Sequence, residues 1–216
     1  MITLYYHPGN ASLAPHVLLH EIGVPFQLHL VDRAAGEHKS PAYLKLNPNG
    51  QIPVLVDGDL VLYEAAAICL HLADTHPDAQ LAPALGTAER AQLYKWLMWL
   101  TNTMQATLMH YFYGERLLDS GNTEASAQVK AHAQAKVGDC LVQIEAHLAR
   151  HGGAWMMGQH YSLLDPYTWM LCRWTRGFDE RPARSYARVG ALLQRMHERP
   201  ALQRAVVTEQ LAQPLV

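Results

Sequence analysis

The chain has 216 residues, 50% apolar and 17% charged, with 17 basic against 19 acidic side chains for a formal charge of −2. That composition excludes a disordered chain, and the near-balance of charge supplies no field for nucleic acid or for an anionic membrane. The length admits one large domain or two small ones, with a core that needs no staples.

Taken in chain order, Ile2-Thr3-Leu4-Tyr5 reads as a strand, His7-Pro8-Gly9-Asn10 as turn chemistry, and Leu13, Val17, Leu18 and Ile22 recur at helical spacing over 12–22. Residues 27–31 alternate like a second strand, which after a helix lies most easily parallel to the first. Val54-Leu55-Val56 and Leu60-Val61-Leu62 flank Asp57-Gly58-Asp59, a β-hairpin signature, and a helix follows over 64–72. The first 80 residues are therefore expected to run β-α-β, a loop with a short helical piece, then β-β-α.

Pro77, Pro83 and Gly86 break the periodicity over 75–86, placing a linker at 81–86. Beyond it strand signals vanish. Residues 87–113 form one long helical pattern with Leu93, Trp96, Leu97, Leu100, Met104 and Leu108 on a single face. A second face carries Trp99, Asn102, Ala106, Met109 and Tyr113, so this helix must be covered twice, by its own bundle and by a partner, a pocket or a second subunit. Helices are expected over 123–150, from the capping-box sequence Ser162-Leu163-Leu164-Asp165 to 176, and over 185–195 and 200–209. Residues 87–216 thus read as an all-helical domain behind a small α/β domain.

Cys69, Cys140 and Cys172 are an odd, scattered set without CxxC spacing, which indicates neither a disulfide framework nor a zinc site and suits a reducing compartment. His16 and His20 share a helix face but have no third ligand, so no metal site is expected. No apolar run reaches the ~18 residues that span a bilayer, and the opening strand leaves no room for a signal peptide; a soluble, cytoplasmic protein is expected.

Asn47-Pro48-Asn49-Gly50-Gln51-Ile52-Pro53-Val54-Leu55, followed by Glu64-Ala65-Ala66-Ala67-Ile68, resembles the pattern of the glutathione S-transferase family. Leu4-Tyr5-Tyr6-His7-Pro8-Gly9-Asn10-Ala11-Ser12-Leu13 is similar to the opening of bacterial beta-class members, and the SLLD cap, linker and helical half match as well. The resemblance covers essentially the whole chain. It implies a thioredoxin-like α/β domain over 1–80, an all-α substrate-pocket domain over 87–216, glutathione as cosubstrate and a homodimer.

In that family the amide and carbonyl beside a cis-proline pair with the cysteinyl backbone of glutathione, which maps here to Ile52 and Pro53. An X-Pro bond reaches the cis form for ~0.5–1 kcal/mol, and a trans turn entering a strand is the other reading. A helix start attracts an anion through its unpaired amides and dipole. The resemblance sets the γ-glutamyl carboxylate on the Ala65 amide and the γ-glutamyl amine on the Glu64 carboxylate. The family often has serine or threonine where this chain has Ala65, and the missing hydroxyl removes a hydrogen bond worth ~0.5–1.5 kcal/mol. His38 and Lys39 are the candidates for the glycyl carboxylate, and Gln51 for a further contact; each reads equally well as a solvated loop residue.

A thiol with a pKa of ~8.5 is about 3% ionised at pH 7, and lowering it to ~6.5 takes ~2.7 kcal/mol of selective thiolate stabilisation. A helix N-terminus and one hydroxyl together reach that size. Ser12 supplies the hydroxyl, Asn10 or the helix amides the alternative, and a plain helix cap is the structural reading of Ser12. Beta-class members usually carry cysteine one position earlier, where this chain has Ala11, so a mixed disulfide with glutathione there is impossible. Tyr5 and Tyr6 are expected to pack. Trp99, Asn102, Thr103, Ala106, Met109 and Tyr113 are expected to form the wall for a largely apolar electrophile, joined by Gln105, His110, Arg173, Trp174 and Arg176. The resulting expectation is a transferase that activates the glutathione thiol; the alternatives are a non-catalytic glutathione-binding or interaction protein, and a glutathione-dependent isomerase or dehalogenase.

Overall fold

A computed structural model describes residues 1–119 and 121–216, which fall into two compact units, one of 1–83 with 196–213 and the other of 84–195 with 214–216. The first unit holds a four-stranded sheet in the order β2-β1-β3-β4, with β1 Ile2–Tyr6, β2 Phe26–Leu30, β3 Val54–Asp57 and β4 Leu60–Tyr63. β1 pairs in parallel with β2 and antiparallel with β3, and β3 and β4 form the hairpin announced by Asp57-Gly58. Helix α1 (Leu13–Ile22) makes the crossover, α2 is the single turn Pro41–Leu44, and α3 (Ala65–Thr75) follows β4. Leu4, Leu18, Leu55 and Ile68 are fully buried between sheet and helices, while Val31, Tyr43 and Val54 anchor a second cluster with Tyr5, Leu46 and Ile52. The β-α-β, β-β-α order and the mixed sheet are those of a thioredoxin-like domain.

The second unit is helical: α4 (Ala88–Trp99), α5 (Ala106–Tyr113), α6 (Thr123–His151), α7 (Leu164–Arg173) and α8 (Ala187–His197). Helix α9 (Pro200–Thr208) is grouped with the first unit and packs on α1. The capping box is present: Asp165 Oδ2 accepts from the Ser162 amide (2.8 Å) and Oδ1 from the Met156 amide (2.7 Å), so this buried carboxylate fixes the start of α7 and the loop before it.

The long pattern over 87–113 departs from one uninterrupted α-helix, because Leu100–Gln105 is a π-helical segment. Ala106 N–H reaches back five residues to Thr101 O, which inserts one residue into the helical register. Two threonines answer the loosened carbonyls: Thr101 Oγ1 donates to Met98 O (2.9 Å) and Thr107 Oγ1 to Thr103 O (2.6 Å). Among the described residues no helix is long and apolar enough to cross a membrane.

Candidate functional site

The loop between β1 and α1 carries the densest set of unusual contacts in the first unit. Gly9 sits at φ +70°, a conformation glycine adopts without penalty, and its N–H donates to Glu209 Oε2 (2.8 Å), 200 residues further along the chain. The other oxygen of the same carboxylate, Oε1, accepts from His16 Nδ1 (2.7 Å), and both side chains are fully buried. Glu209, just past α9, thereby clamps the loop at Gly9 and the helix at His16. The sequence offered no local sign of this pair; His16 drew attention only as a metal ligand. His16 and His20 do share a face, with ring centroids 5.0 Å apart, but no group of three or more His, Cys, Asp or Glu side chains converges among the described residues.

Ser12 is fully buried and does not cap α1. Its hydroxyl donates to His7 O (3.2 Å) and accepts from His7 N–H (3.3 Å), closing the loop on itself. Asn10 and Ala11 remain half-exposed at the start of α1, and the amides of Ala11 and Ser12 enter no backbone hydrogen bond among the described residues. The Ala11 amide, at the positive end of α1, and the Asn10 carboxamide are the donors this loop presents, the Ser12 amide being buried. Burial, and then the Glu209 charge, raise the Tyr6 phenol above its usual value, so Tyr6 stays protonated at neutral pH.

A second group lies around the β3 entrance. The Ile52–Pro53 peptide is cis, and the Ile52 amide and carbonyl make no hydrogen bond among the described residues. The turn before it is braced from behind, because Gln51 O accepts from Tyr43 Oη (2.8 Å) and Asn47 Nδ2 (2.9 Å), leaving the Gln51 side chain exposed. His38 and Lys39 stand beside it on the turn Glu37–Lys39. Lys39 Nζ donates to Asn49 O (3.2 Å), and a Cβ on Gly50 would lie 2.7 Å from both Lys39 Nζ and His38 O, so glycine admits this approach. Burial above all, then the Lys39, Arg33 and His7 charges, hold His38 below the ordinary histidine pKa, and its Nδ1 is buried without a partner. Lys39 is thus the cation of the pair and His38 a neutral neighbour.

Glu64 opens α3 at φ +72° and ψ +110°, a strained backbone for a side-chain-bearing residue, while its carboxylate is exposed and caps nothing. Such strain costs ~1–3 kcal/mol and persists only where the surroundings hold it, most often at ligand clamps. Ala65 is buried directly behind it at the start of the helix.

In the helical unit the predicted wall is rearranged by the π segment. One inserted residue turns everything downstream by about 100° relative to an unbroken α-helix. Trp99, Thr103 and Thr107 therefore follow one another along one row, and Asn102, Ala106, Met109 and Tyr113 along an adjoining one, where the sequence pattern set them on a single face. Gln105 is held by the buried Tyr167, whose hydroxyl donates to Gln105 Oε1 (2.5 Å). His110 and Arg176 are exposed, whereas Arg173 is buried and donates to the Leu215 carbonyl (2.5 Å). Trp174 packs edge-on near Phe112, centroids 6.3 Å apart.

Comparison with known proteins covers both units. Residues 1–74 match the glutathione S-transferase N-terminal domain and residues 108–206 the glutathione S-transferase C-terminal domain. Glutathione S-transferase GstA of Escherichia coli O157:H7 is 31% identical over 210 residues, 96% of this chain and 98% of that protein. Among solved structures, a glutathione transferase homologue from Sulfitobacter with bound glutathione superposes with a TM-score of 0.88 at 28% identity, covering 98% of this chain and 99% of that one. The beta-class glutathione S-transferase of Sphingomonas chungbukensis superposes with a TM-score of 0.83 at 29% identity, covering 97% of this chain and all of its own.

Proposed function

The chain belongs to the glutathione S-transferase family, and from that premise we propose that it ionises the glutathione thiol at the loop 9–12 and directs the thiolate at small, largely apolar electrophiles. The glutathione backbone is assigned to Ile52 and Pro53, its γ-glutamyl end to Glu64 and the Ala65 amide, and its glycyl carboxylate to Lys39 with His38 and Gln51 beside it. The electrophile is assigned to the rows that carry Trp99 and Thr103, and Asn102, Ala106, Met109 and Tyr113. Residues 1–80 then serve as the glutathione domain and 87–216 as the substrate domain.

The observation that carries the reading is the state of the loop. The Ser12 proton is engaged by His7, while the half-exposed Asn10 and Ala11 bring a carboxamide and a backbone amide to the positive end of a helix whose start Glu209 clamps. A thiolate there gains from the dipole and from charge-assisted hydrogen bonds, which together approach the ~2.7 kcal/mol needed for two pKa units. Asn10 and the Ala11 amide are the donors; Ser12 shapes the loop. A homodimer in a reducing cytoplasm fits the remaining features: edge strand β4 exposes Leu60 and Val61, α4 exposes Tyr94 and Met98, and burial pushes the thiols of Cys69, Cys140 and Cys172 up, the last to about 12.

The test is a pH titration of thiolate absorbance for glutathione bound to the pure protein. The expected bound-thiol pKa is ~6–7. Asn10→Ala is expected to raise it by about one unit and to lower kcat with little change in affinity, and Ser12→Ala to destabilise the fold more than it moves the titration. Binding without a pKa shift overturns the catalytic reading in favour of a glutathione-binding protein. A titration moved by Ser12→Ala and untouched by Asn10→Ala transfers the donor role to Ser12.

A further inference from the structure

Resting on the assignment of the electrophile to the α5 side of the helical unit, we propose that Arg116 is a specificity residue that selects electrophiles bearing a carboxylate on an aromatic body. Helix α5 ends in an aromatic cluster, with Tyr111 against Phe178 (centroids 4.6 Å) and Phe112 against Trp174, and Phe112 remains 42% exposed. The chain then turns through Gly114–Leu117. A Cβ at Gly114 would lie 3.0 Å from Val129 Cγ1 on α6, so glycine lets the turn run close to that helix. The turn carries the Arg116 guanidinium back over the Tyr113 ring, 3.9 Å from its centroid.

Stacking occupies only the flat face of a guanidinium. Its five N–H donors radiate in the plane, in the fork that matches a carboxylate. Arg116 is exposed and enters none of the ion pairs among the described residues. Arg173 and Arg184, by contrast, give donors to the carbonyls of Leu215 and Val216. Lys130 above the Tyr111 ring (4.9 Å) adds positive potential at the same cluster. A ring lying on the exposed Phe112, beside the Arg116–Tyr113 pair, would bring a substituent at its rim toward the in-plane donors of Arg116, which favours a ligand with an anionic group at the rim of an apolar body. Because the guanidinium is exposed and screened, the preference is about threefold to fivefold rather than absolute.

A matched pair of probes tests this, 4-chloro-3-nitrobenzoate and its methyl ester. In either, the glutathione sulfur attacks the ring carbon bearing chlorine; the C–S bond forms, the C–Cl bond breaks, chloride leaves with the bonding pair and the thiol proton passes to solvent. In the Arg116→Gln protein the preference for carboxylate over ester in kcat/KM is expected to fall about threefold to fivefold, through KM, with Arg116→Lys retaining part of it. Calorimetric binding of the unreactive 3-nitrobenzoate and its methyl ester is read in parallel, and raised salt is expected to weaken the carboxylate selectively in the unmodified protein. A preference that survives Arg116→Gln, or no preference in the unmodified protein by either measurement, overturns the proposal. Failure of both probes to react, with an Arg116-dependent binding preference intact, counts instead against the transferase reading and leaves the anion site standing.

Discussion

At the scale of single residues, Glu64 shows how strain and exposure point to ligand binding. A buried carboxylate held at positive φ by several hydrogen bonds would be structural; Glu64 has the strained backbone with an exposed side chain that caps nothing. Replacing it by alanine keeps a Cβ on the same backbone, so stability is expected to stay within ~0.5 kcal/mol while glutathione affinity falls. Glycine relieves part of the strain, and Glu64→Gly is expected to melt above Glu64→Ala even though glycine in regular structure usually costs ~0.5–1 kcal/mol. Thermal melts of the two variants with calorimetric titration of glutathione check both halves. A Glu64→Ala protein that binds glutathione as before removes Glu64 from the site.

At the scale of elements, the Glu209 carboxylate joins α9, α1 and the loop between β1 and α1. Glu209→Ala removes the carboxylate that the fully buried His16 Nδ1–H and the half-buried Gly9 N–H donate to, and is expected to cost about 3–5 kcal/mol, on the order of 10 °C in Tm. Glu209→Gln retains one acceptor and is expected to cost about 1–3 kcal/mol, leaving enough folded protein to titrate. If the clamp positions the loop, the bound-thiol pKa rises in Glu209→Gln; a purely structural clamp lowers Tm and leaves the titration in place. The sequence could not show this pair, because its partners are 193 residues apart and neither sits in a local motif. What it did show is local in origin: the Asp57-Gly58 hairpin, the Ser162–Asp165 cap, the Ile52-Pro53 turn and Glu64 at a helix start all write their geometry within a few residues. The π segment fell between these cases. A single inserted residue barely disturbs the spacing of Leu93, Leu97, Leu100, Met104 and Leu108, so the core stripe looks unbroken while the opposite side divides into two rows. A serine before a helix signals a cap, the structural reading of Ser12, and only the fold of the loop turns its hydroxyl to His7 instead.

At the scale of the whole molecule, thirteen histidines in a chain of formal charge −2 make acid stability a collective property. Burial lowers the pKa of His20, to about 4, with the neighbouring His16 and Arg204 charges adding to it. Burial is also the leading cause of the lowered values at His38, His147, His151 and His197. Each of these side chains binds its proton more weakly folded than unfolded. Between about pH 4 and 6.5 the unfolded chain therefore carries more protons, and the stability of the fold rises with pH across that window. Above it these histidines are neutral in both states and contribute no slope. At the alkaline end the sign reverses: burial raises Tyr43, Cys69 and Cys172, so the unfolded chain ionises first and stability falls again once pH passes the ordinary thiol range. The expected profile is a plateau from about pH 6.5 to 8.5 with losses on both sides. Urea denaturation at one-unit intervals from pH 4.5 to 9.5 measures it. His20→Gln removes the group with the deepest depression and is expected to flatten the acid limb while leaving the alkaline limb alone. An acid limb of undiminished slope in that variant would shift the loss from His20 to His38, His147, His151 and His197, the next residues to substitute.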